Sequence, residues 1–83
     1  MISMKKFIEL SIGSFIISHG FDEQNKEIEE HFTVEVFAKK LIAVDRIKSL
    51  SEKYILTDYL DRRWIYWEYE EEYNVVKEKL LGL

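Results

Sequence analysis

The stretch WIYWEYEEEYNVVKEKLL, from Trp64 to Leu81, decides the fold, because it predicts a strand that leads directly into a helix. The residues up to Tyr69 are aromatic or β-branched, a composition that favours a half-buried strand. Beyond this point the apolar residues recur at helical spacing and predict a single stripe, formed by Tyr69, Tyr73, Val76, Leu80 and Leu83. An aromatic strand needs partner strands and a short helix needs a surface to pack on, so the rest of the chain should supply a sheet.

The N-terminal half predicts a long β-hairpin. In the first strand Ile8, Leu10 and Ile12 share a face, and Gly13 predicts a bulge that shifts the register. Residues 22–26 are the expected turn, and the returning strand carries apolar residues with one acid on a common face, namely Ile28, Glu30, Phe32, Val34 and Val36. A helical turn over residues 23–30 is the alternative to this strand.

The middle of the chain predicts three more strands before the aromatic one. The apolar run from Leu41 to Val44 is typical of a strand that is buried on both faces. Residues 47–50 continue it briefly, and residues 54–59 alternate as another strand. These patterns predict a mainly β, α+β fold, an antiparallel sheet of five to six strands that forms an SH3-like barrel or a curled sheet, with a C-terminal helix.

Length and composition predict one small domain. Its expected parts are an N-terminal β-hairpin over 1–37, a β-meander over 38–69 and a helix over 70–83. A core of this size is marginal, so we expect a homo-oligomer, in which the hairpin packs on its own subunit or exchanges with a neighbour. The chain has no cysteine, no apolar run that could span a bilayer and no recognisable signal peptide, so we expect a cytoplasmic protein that does not enter membranes.

The net charge of −4 is distributed unevenly. Residues 22–35 sum to −5, whereas residues 36–63 sum to +3. Affinity for a phosphate backbone depends on clustered Lys and Arg, so we do not expect a net acidic chain to bind duplex nucleic acid. The basic middle leaves room for a small patch that binds one anionic ligand.

The C-terminal half resembles the FlbD-like small proteins and similar short phage and prophage proteins. In that pattern a strand pair of the form VLINVDNI precedes a hairpin and a helix that opens with ESYEEV. The matching residues are Leu41, Ile42, Val44, Asp45 and Ile47, and in the helix Tyr73, Val76 and Leu80. Glu72 replaces the serine that usually precedes the helix, and residues 1–31 exceed the pattern. The resemblance implies a small SH3-like barrel or curled sheet with a helix, and it implies no catalytic residues.

The strongest candidate for a binding site combines Arg62 and Arg63 with Trp64 and Tyr66. Guanidinium groups bind phosphate through paired hydrogen bonds, and aromatic faces stack on bases. Strand alternation places Trp64 and Tyr66 opposite a second set, Ile65, Trp67 and Tyr69. If the second set faces the helix, Trp64 and Tyr66 lie on the outer face of the sheet. There they are buried by the N-terminal hairpin as intrachain core, form a subunit or partner interface, or provide a stacking site for a nucleotide.

Two further groups of polar residues have competing interpretations. Asp45 and Arg46 form either a solvated bend with a local ion pair, or part of an anion site in which Arg46, Lys48 and Arg62 converge. His19 and His31 flank the acidic loop at a spacing that matches no metal motif, so we expect exposed histidines and no metal site.

No nucleophile beside a base is recognisable, so we expect neither catalysis nor a cofactor. The sequence therefore predicts a non-enzymatic binding protein. The leading hypothesis is a phage-type inhibitor or sequestering protein that acts on a bacterial defence component or its nucleotide signal. The alternative is a small regulatory protein of the FlbD kind that acts through protein or DNA contacts.

Overall fold

The first strand organises the sheet in the computed structural model, which describes residues 6–82. Six strands and one helix follow one another along the chain: β1 (Phe7–Phe21), β2 (Glu27–Phe32), β3 (Ala38–Ala43), β4 (Ile47–Leu50), β5 (Tyr54–Asp58), β6 (Trp64–Tyr69) and α1 (Tyr73–Leu81). The strand order is β2-β1-β6-β5-β4, with β3 also paired to β1, and every pairing is antiparallel. The predicted mainly β fold with a C-terminal helix is confirmed. Of the two predicted forms the sheet takes the curled one, since it does not close.

β1 changes partner along one edge at its middle. Its first half, Phe7 to Ile12, pairs with β3, and its second half, from Phe15, pairs with β2. The register against β6 shifts between Ile12 and Phe15, which confirms the bulge predicted at Gly13. The Ser14 hydroxyl accepts a hydrogen bond from the Val34 N–H at 3.2 Å, in the connection between β2 and β3. β2 and β3 are therefore successive parts of one returning arm that is interrupted opposite the bulge.

The backbone at Gly13 lies close to the Phe37 ring. A Cβ atom at Gly13 would lie 2.9 Å from the Phe37 ring, closer than carbon atoms can approach without displacement. Phe37 lies in the β2–β3 connection, so the bulge and the break in the returning arm pack directly on each other.

The predicted hairpin turn over residues 22–26 is confirmed in atomic detail. The Asp22 carboxylate accepts hydrogen bonds from the N–H groups of Gln24 and Lys26, each at 2.9 Å. Asn25 takes a positive φ of 66°, which asparagine tolerates better than most residues. The alternative helical turn over residues 23–30 does not form, because β2 begins at Glu27.

The core lies between the inner face of the curled sheet and α1. Val76 is the buried residue of the helix and is completely shielded from solvent. It packs in one cluster with buried sheet residues, namely Ile8, Leu10, Ile12, Ile42, Ile55 and Tyr69. Leu80 packs against the same cluster, so two members of the predicted helical stripe lie where the spacing places them. Leu83, the last predicted member, is outside the described residues.

Three details of the predicted elements need correction. β3 is an edge strand with Leu41 61% exposed, so the expectation of burial on both faces is wrong. The meander predicted over 38–69 holds for β4, β5 and β6, whereas β3 pairs with β1 across the curled sheet. The returning strand of the hairpin ends at Phe32, before Val34 and Val36, because the chain breaks opposite the bulge.

Candidate functional site

Trp67 lies at the centre of an aromatic group on the inner face of the sheet. Its ring centroid is 4.8 Å from that of Phe15, which in turn stacks on Phe32 at 4.7 Å. The indole N–H donates a hydrogen bond to the Thr57 hydroxyl at 3.2 Å, which holds the ring orientation. The Lys40 ammonium lies 5.0 Å from the Trp67 ring centroid, within cation–π range.

A groove of about 460 Å³ runs beside this aromatic group. Its walls come from β1, β3, β5, β6, the 3-10 turn Val44–Arg46 and Tyr59, which follows β5, and the described lining includes no residue of α1. The lining residues are Phe7, Phe15, Ile17, Lys40, Leu41, Ile42, Ala43, Arg46, Thr57, Tyr59, Ile65 and Trp67. Lys40 and Arg46 are cationic and no carboxylate is among the described lining residues; Asp58 pairs with Arg46, so the uncompensated positive charge at the groove is that of Lys40.

The two cations of the groove are held differently. The Arg46 Nε atom lies 3.0 Å from the Asp58 carboxylate, and its Nη2 donates to the Asp58 carbonyl at 2.9 Å. Both side chains are about half exposed, so this pair orients Arg46 more than it stabilises the fold. Lys40 has no carboxylate partner among residues 6–82, and its ammonium is available to an incoming anion.

Trp64 and Tyr66 lie on the opposite, outer face of the sheet, away from Trp67. Trp64 is 39% exposed, and Tyr66 makes an edge contact with Tyr54 at 6.2 Å between ring centroids. The Tyr66 hydroxyl approaches the Glu27 carboxylate at 3.5 Å, and the same carboxylate accepts a hydrogen bond from Ser18 at 2.7 Å. Burial raises the pKa of Tyr66, and the charge of Glu27 raises it further.

The predicted arginine and lysine residues lie on three different elements: Arg46 in the 3-10 turn before β4, Lys48 on β4, and Arg62 and Arg63 in the turn before β6. Arg62 lies in the tight turn before β6 with a positive φ of 62°. The Arg63 guanidinium lies 4.8 Å from the Tyr59 ring centroid, and its Nε donates to the Leu60 carbonyl at 2.9 Å. Lys48 is exposed on β4. Of the predicted site residues only Arg46 lines the groove, so the predicted convergence of Arg46, Lys48 and Arg62 is not formed there.

Sequence reasoning missed the two side chains that give the groove its character. Lys40 was not among the predicted site residues, and Trp67 was placed in the set that faces the helix, where it packs against the core and also lines the groove. The signal that could have found them is the bulge at Gly13, because a shift of one residue brings Phe15 onto the same face as Trp67.

The two histidines form separate contacts with neighbouring acids. His19 lies 3.0 Å from Glu30, and His31 lies 3.1 Å from Glu29. The hydrogen bond from His31 lowers the pKa of Glu29. Within residues 6–82 no group of three metal-binding side chains is assembled.

No helix within residues 6–82 combines the length and the apolar character needed to cross a membrane. The groove and the outer aromatic face are two structural candidates for a ligand-binding site. No protein-family model matches the chain, and the searches of curated proteins and of solved structures found no significant similarity.

Proposed function

We propose that this protein is a non-enzymatic binding protein that sequesters a flat organic anion in the groove beside Trp67. The observation that carries the proposal is the position of the Lys40 ammonium over the Trp67 ring, in a groove whose lining residues within 6–82 include no carboxylate. Aromatic rings bind flat apolar groups by stacking, and Lys and Arg bind phosphate or carboxylate groups. A nucleotide combines both features, which makes this class the first to test.

The biological role within this proposal is that of a phage-type inhibitor acting on a bacterial defence component or its nucleotide signal, in the cytoplasm. Support comes from the resemblance to short phage proteins and from a groove whose volume of about 460 Å³ is within the range of small-molecule pockets. The groove offers no nucleophile beside a base, so retention of the ligand is a better match to its chemistry than conversion.

Binding is tested with a variant that makes Trp67 the single tryptophan. Trp64→Phe removes the only other indole, which lies on the outer face. Titration with AMP, cyclic AMP, adenosine and inorganic phosphate then separates stacking from charge. We expect AMP or cyclic AMP to quench Trp67 and raise the melting temperature, and adenosine and phosphate to act more weakly, because each supplies one half of the interaction.

Neighbouring lysines on β3 provide a matched pair of variants. Lys40→Gln should weaken nucleotide binding about tenfold or more, since it removes a charge-assisted contact. Lys39→Gln removes the same charge one residue away, opposite Ser11 on the other face of the sheet, and should leave binding unchanged. If none of the four probes shifts the melting temperature or the Trp67 emission, the nucleotide assignment is wrong. If both lysine variants weaken binding equally, the ligand does not occupy the groove.

A further inference from the structure

The returning arm of the hairpin is an unusual surface. Every residue from Ile28 to Leu41 is exposed. Six of these residues are nevertheless large and apolar, namely Ile28, Phe32, Val34, Val36, Phe37 and Leu41. A solvated connection is normally built from polar and turn-forming residues, so this number of exposed apolar side chains on one arm indicates a contact surface.

The size of the molecular surface points the same way. The chain exposes 6430 Å² for a mass of 10.0 kDa. A monomeric protein of this mass is expected to expose about 5,200 Å². Its Cα radius of gyration is 13.9 Å, whereas a compact domain of this length has about 12 Å. The chain therefore exposes more surface and is less compact than a typical monomer of this length, and covering about 800 Å² of it would be ordinary for a stable dimer.

The same arm also presents unpaired backbone. β2 and β3 each pair with β1 along one edge, and within residues 6–82 neither has a strand on its other edge. Their free N–H and C=O groups form a template for another strand. The surface therefore combines exposed apolar side chains with hydrogen-bonding groups that a further strand would satisfy.

The charges on this edge select the strand that fits it. β2 carries Glu27, Glu29 and Glu30, whereas β3 carries Lys39 and Lys40. Pairing β2 with a second β2 would place acids against acids, and pairing β3 with a second β3 would place lysines against lysines, both of which are unfavourable. Only β2 against β3 brings opposite charges together.

We propose that this edge binds a second copy of the chain, so that β2 of each subunit pairs antiparallel with β3 of the other. A two-fold axis near Glu35 generates both contacts and closes the dimer. Such an axis places Glu30 opposite Lys40 of the second copy, so the dimer contact and an anion in the groove compete for the Lys40 ammonium. Within one subunit Glu30 is opposite Ile17 of β1 and Lys40 is opposite Leu10 of β1, so both side chains lie on the inner face of the sheet. Residues that face each other across two strands must point to the same face, and this register meets that requirement. On the outer face, Glu29 of one copy lies diagonally across from Lys39 of the other copy.

The experiment uses reciprocal charge reversal. The variant Glu29→Lys/Glu30→Lys carries only lysines at these four positions, and Lys39→Glu/Lys40→Glu carries only glutamates. Each should weaken its own dimer by about tenfold or more, since attractive cross-strand pairs become repulsive at both ends of the interface. An equimolar mixture should form a heterodimer close to the native affinity, because every reversed contact is then opposite in charge again.

Sedimentation velocity over a concentration series measures these affinities, and circular dichroism confirms that each variant folds. Lys77→Glu/Lys79→Glu, which changes two exposed helix lysines, is the matched control and should leave the dimer intact. If a double variant fails to fold, Glu30→Lys and Lys40→Glu replace the pair. A native chain that stays at 10.0 kDa at all concentrations would overturn the proposal. So would a dimer that both reversals leave unchanged, or a mixture that does not associate.

Discussion

Both carboxylate oxygens of Glu71 accept a hydrogen bond from the backbone N–H of Ser11, at 2.9 and 3.1 Å. The adjacent N–H of Glu70 donates to the Ser11 carbonyl at 2.9 Å. β6 ends at Tyr69, so the Glu71 side chain takes the place of a backbone carbonyl and extends the pairing with β1 towards α1. This contact fixes the point where the chain leaves the sheet and enters the helix.

Removal of this carboxylate should destabilise the protein. Glu71→Ala leaves the half-buried Ser11 N–H without its acceptor, and we expect the free energy of unfolding to fall by about 1–3 kcal/mol. Glu71→Gln keeps an oxygen acceptor and should cost less. Urea denaturation of the two variants measures the difference. Glu70→Ala is the control, since its side chain is exposed and only its backbone takes part. Equal losses for Glu70→Ala and Glu71→Ala would contradict this role.

The helix start is a position where stability can be gained. Glu72 is the N-cap of α1, yet its side chain caps no backbone N–H. Serine or aspartate at this position accepts such a hydrogen bond, so Glu72→Ser should raise the free energy of unfolding by about 1 kcal/mol. Thermal unfolding followed by circular dichroism tests the gain. Glu78→Ser, in the exposed interior of the same helix, should instead lower stability slightly, because serine is a weaker helix former.

The turn before β6 contains backbone strain. Asp61 and Arg62 both have positive φ, 56° and 62°, and the Arg63 N–H donates to the Leu60 carbonyl at 3.2 Å. This is the geometry of a type I′ hairpin turn, which favours glycine at its second central position. Arg62→Gly should therefore stabilise the protein by about 1 kcal/mol. Arg63→Gly should destabilise it, because Arg63 has ordinary φ and its guanidinium contacts Tyr59. Urea midpoints that move in the same direction for both variants would contradict the assignment.

Stability should decrease in alkaline solution. Burial raises the pKa values of Tyr66 and Tyr69 above the usual value of about 10. The folded protein keeps these protons to higher pH than the unfolded chain, so their contribution is complete below pH 10 and is lost as the pH rises through the folded-state pKa values. Urea midpoints at pH 8 and pH 10.5 should show this loss. Glu27→Gln should reduce it, because the Glu27 charge also raises the pKa of Tyr66. If Glu27→Gln leaves the difference between the urea midpoints at pH 8 and pH 10.5 unchanged, Glu27 does not influence the ionisation of Tyr66.

Local patterns were sufficient for much of this fold, for identifiable physical reasons. The helical stripe through Val76 and Leu80, the bulge at Gly13 and the Asp22 turn all depend on residues close together in the chain. The return of β3 to the N-terminal half of β1 could not be predicted, since antiparallel pairing over that distance leaves no spacing signal. The apolar run from Leu41 to Val44 favoured a central strand, but β3 lies at the edge of the sheet and Leu41 is exposed.

The candidate site was harder to predict, because it depends on which face each aromatic residue occupies. Alternation correctly separated Trp64 and Tyr66 from Trp67. It did not show which of the two faces is concave, and this follows from the curl of the whole sheet. Lys40 reaches Trp67 only because β3 pairs with β1. Arg46 was grouped with Arg62 by charge alone, while the structure pairs it with Asp58.

The central place of β1 sets the order in which the chain can fold as it is synthesised. Its hairpin partner β2 follows immediately, but Ser11 and its contact Glu71 are 60 residues apart. At ribosomal rates of about 5–20 residues per second, that separation is a delay of roughly 3–12 s, whereas a hairpin forms within about 10 μs. The β1–β2 hairpin therefore has time to form and reopen many times on the nascent chain before β6 arrives. Completion of the sheet waits until β6 and Glu71 have been translated.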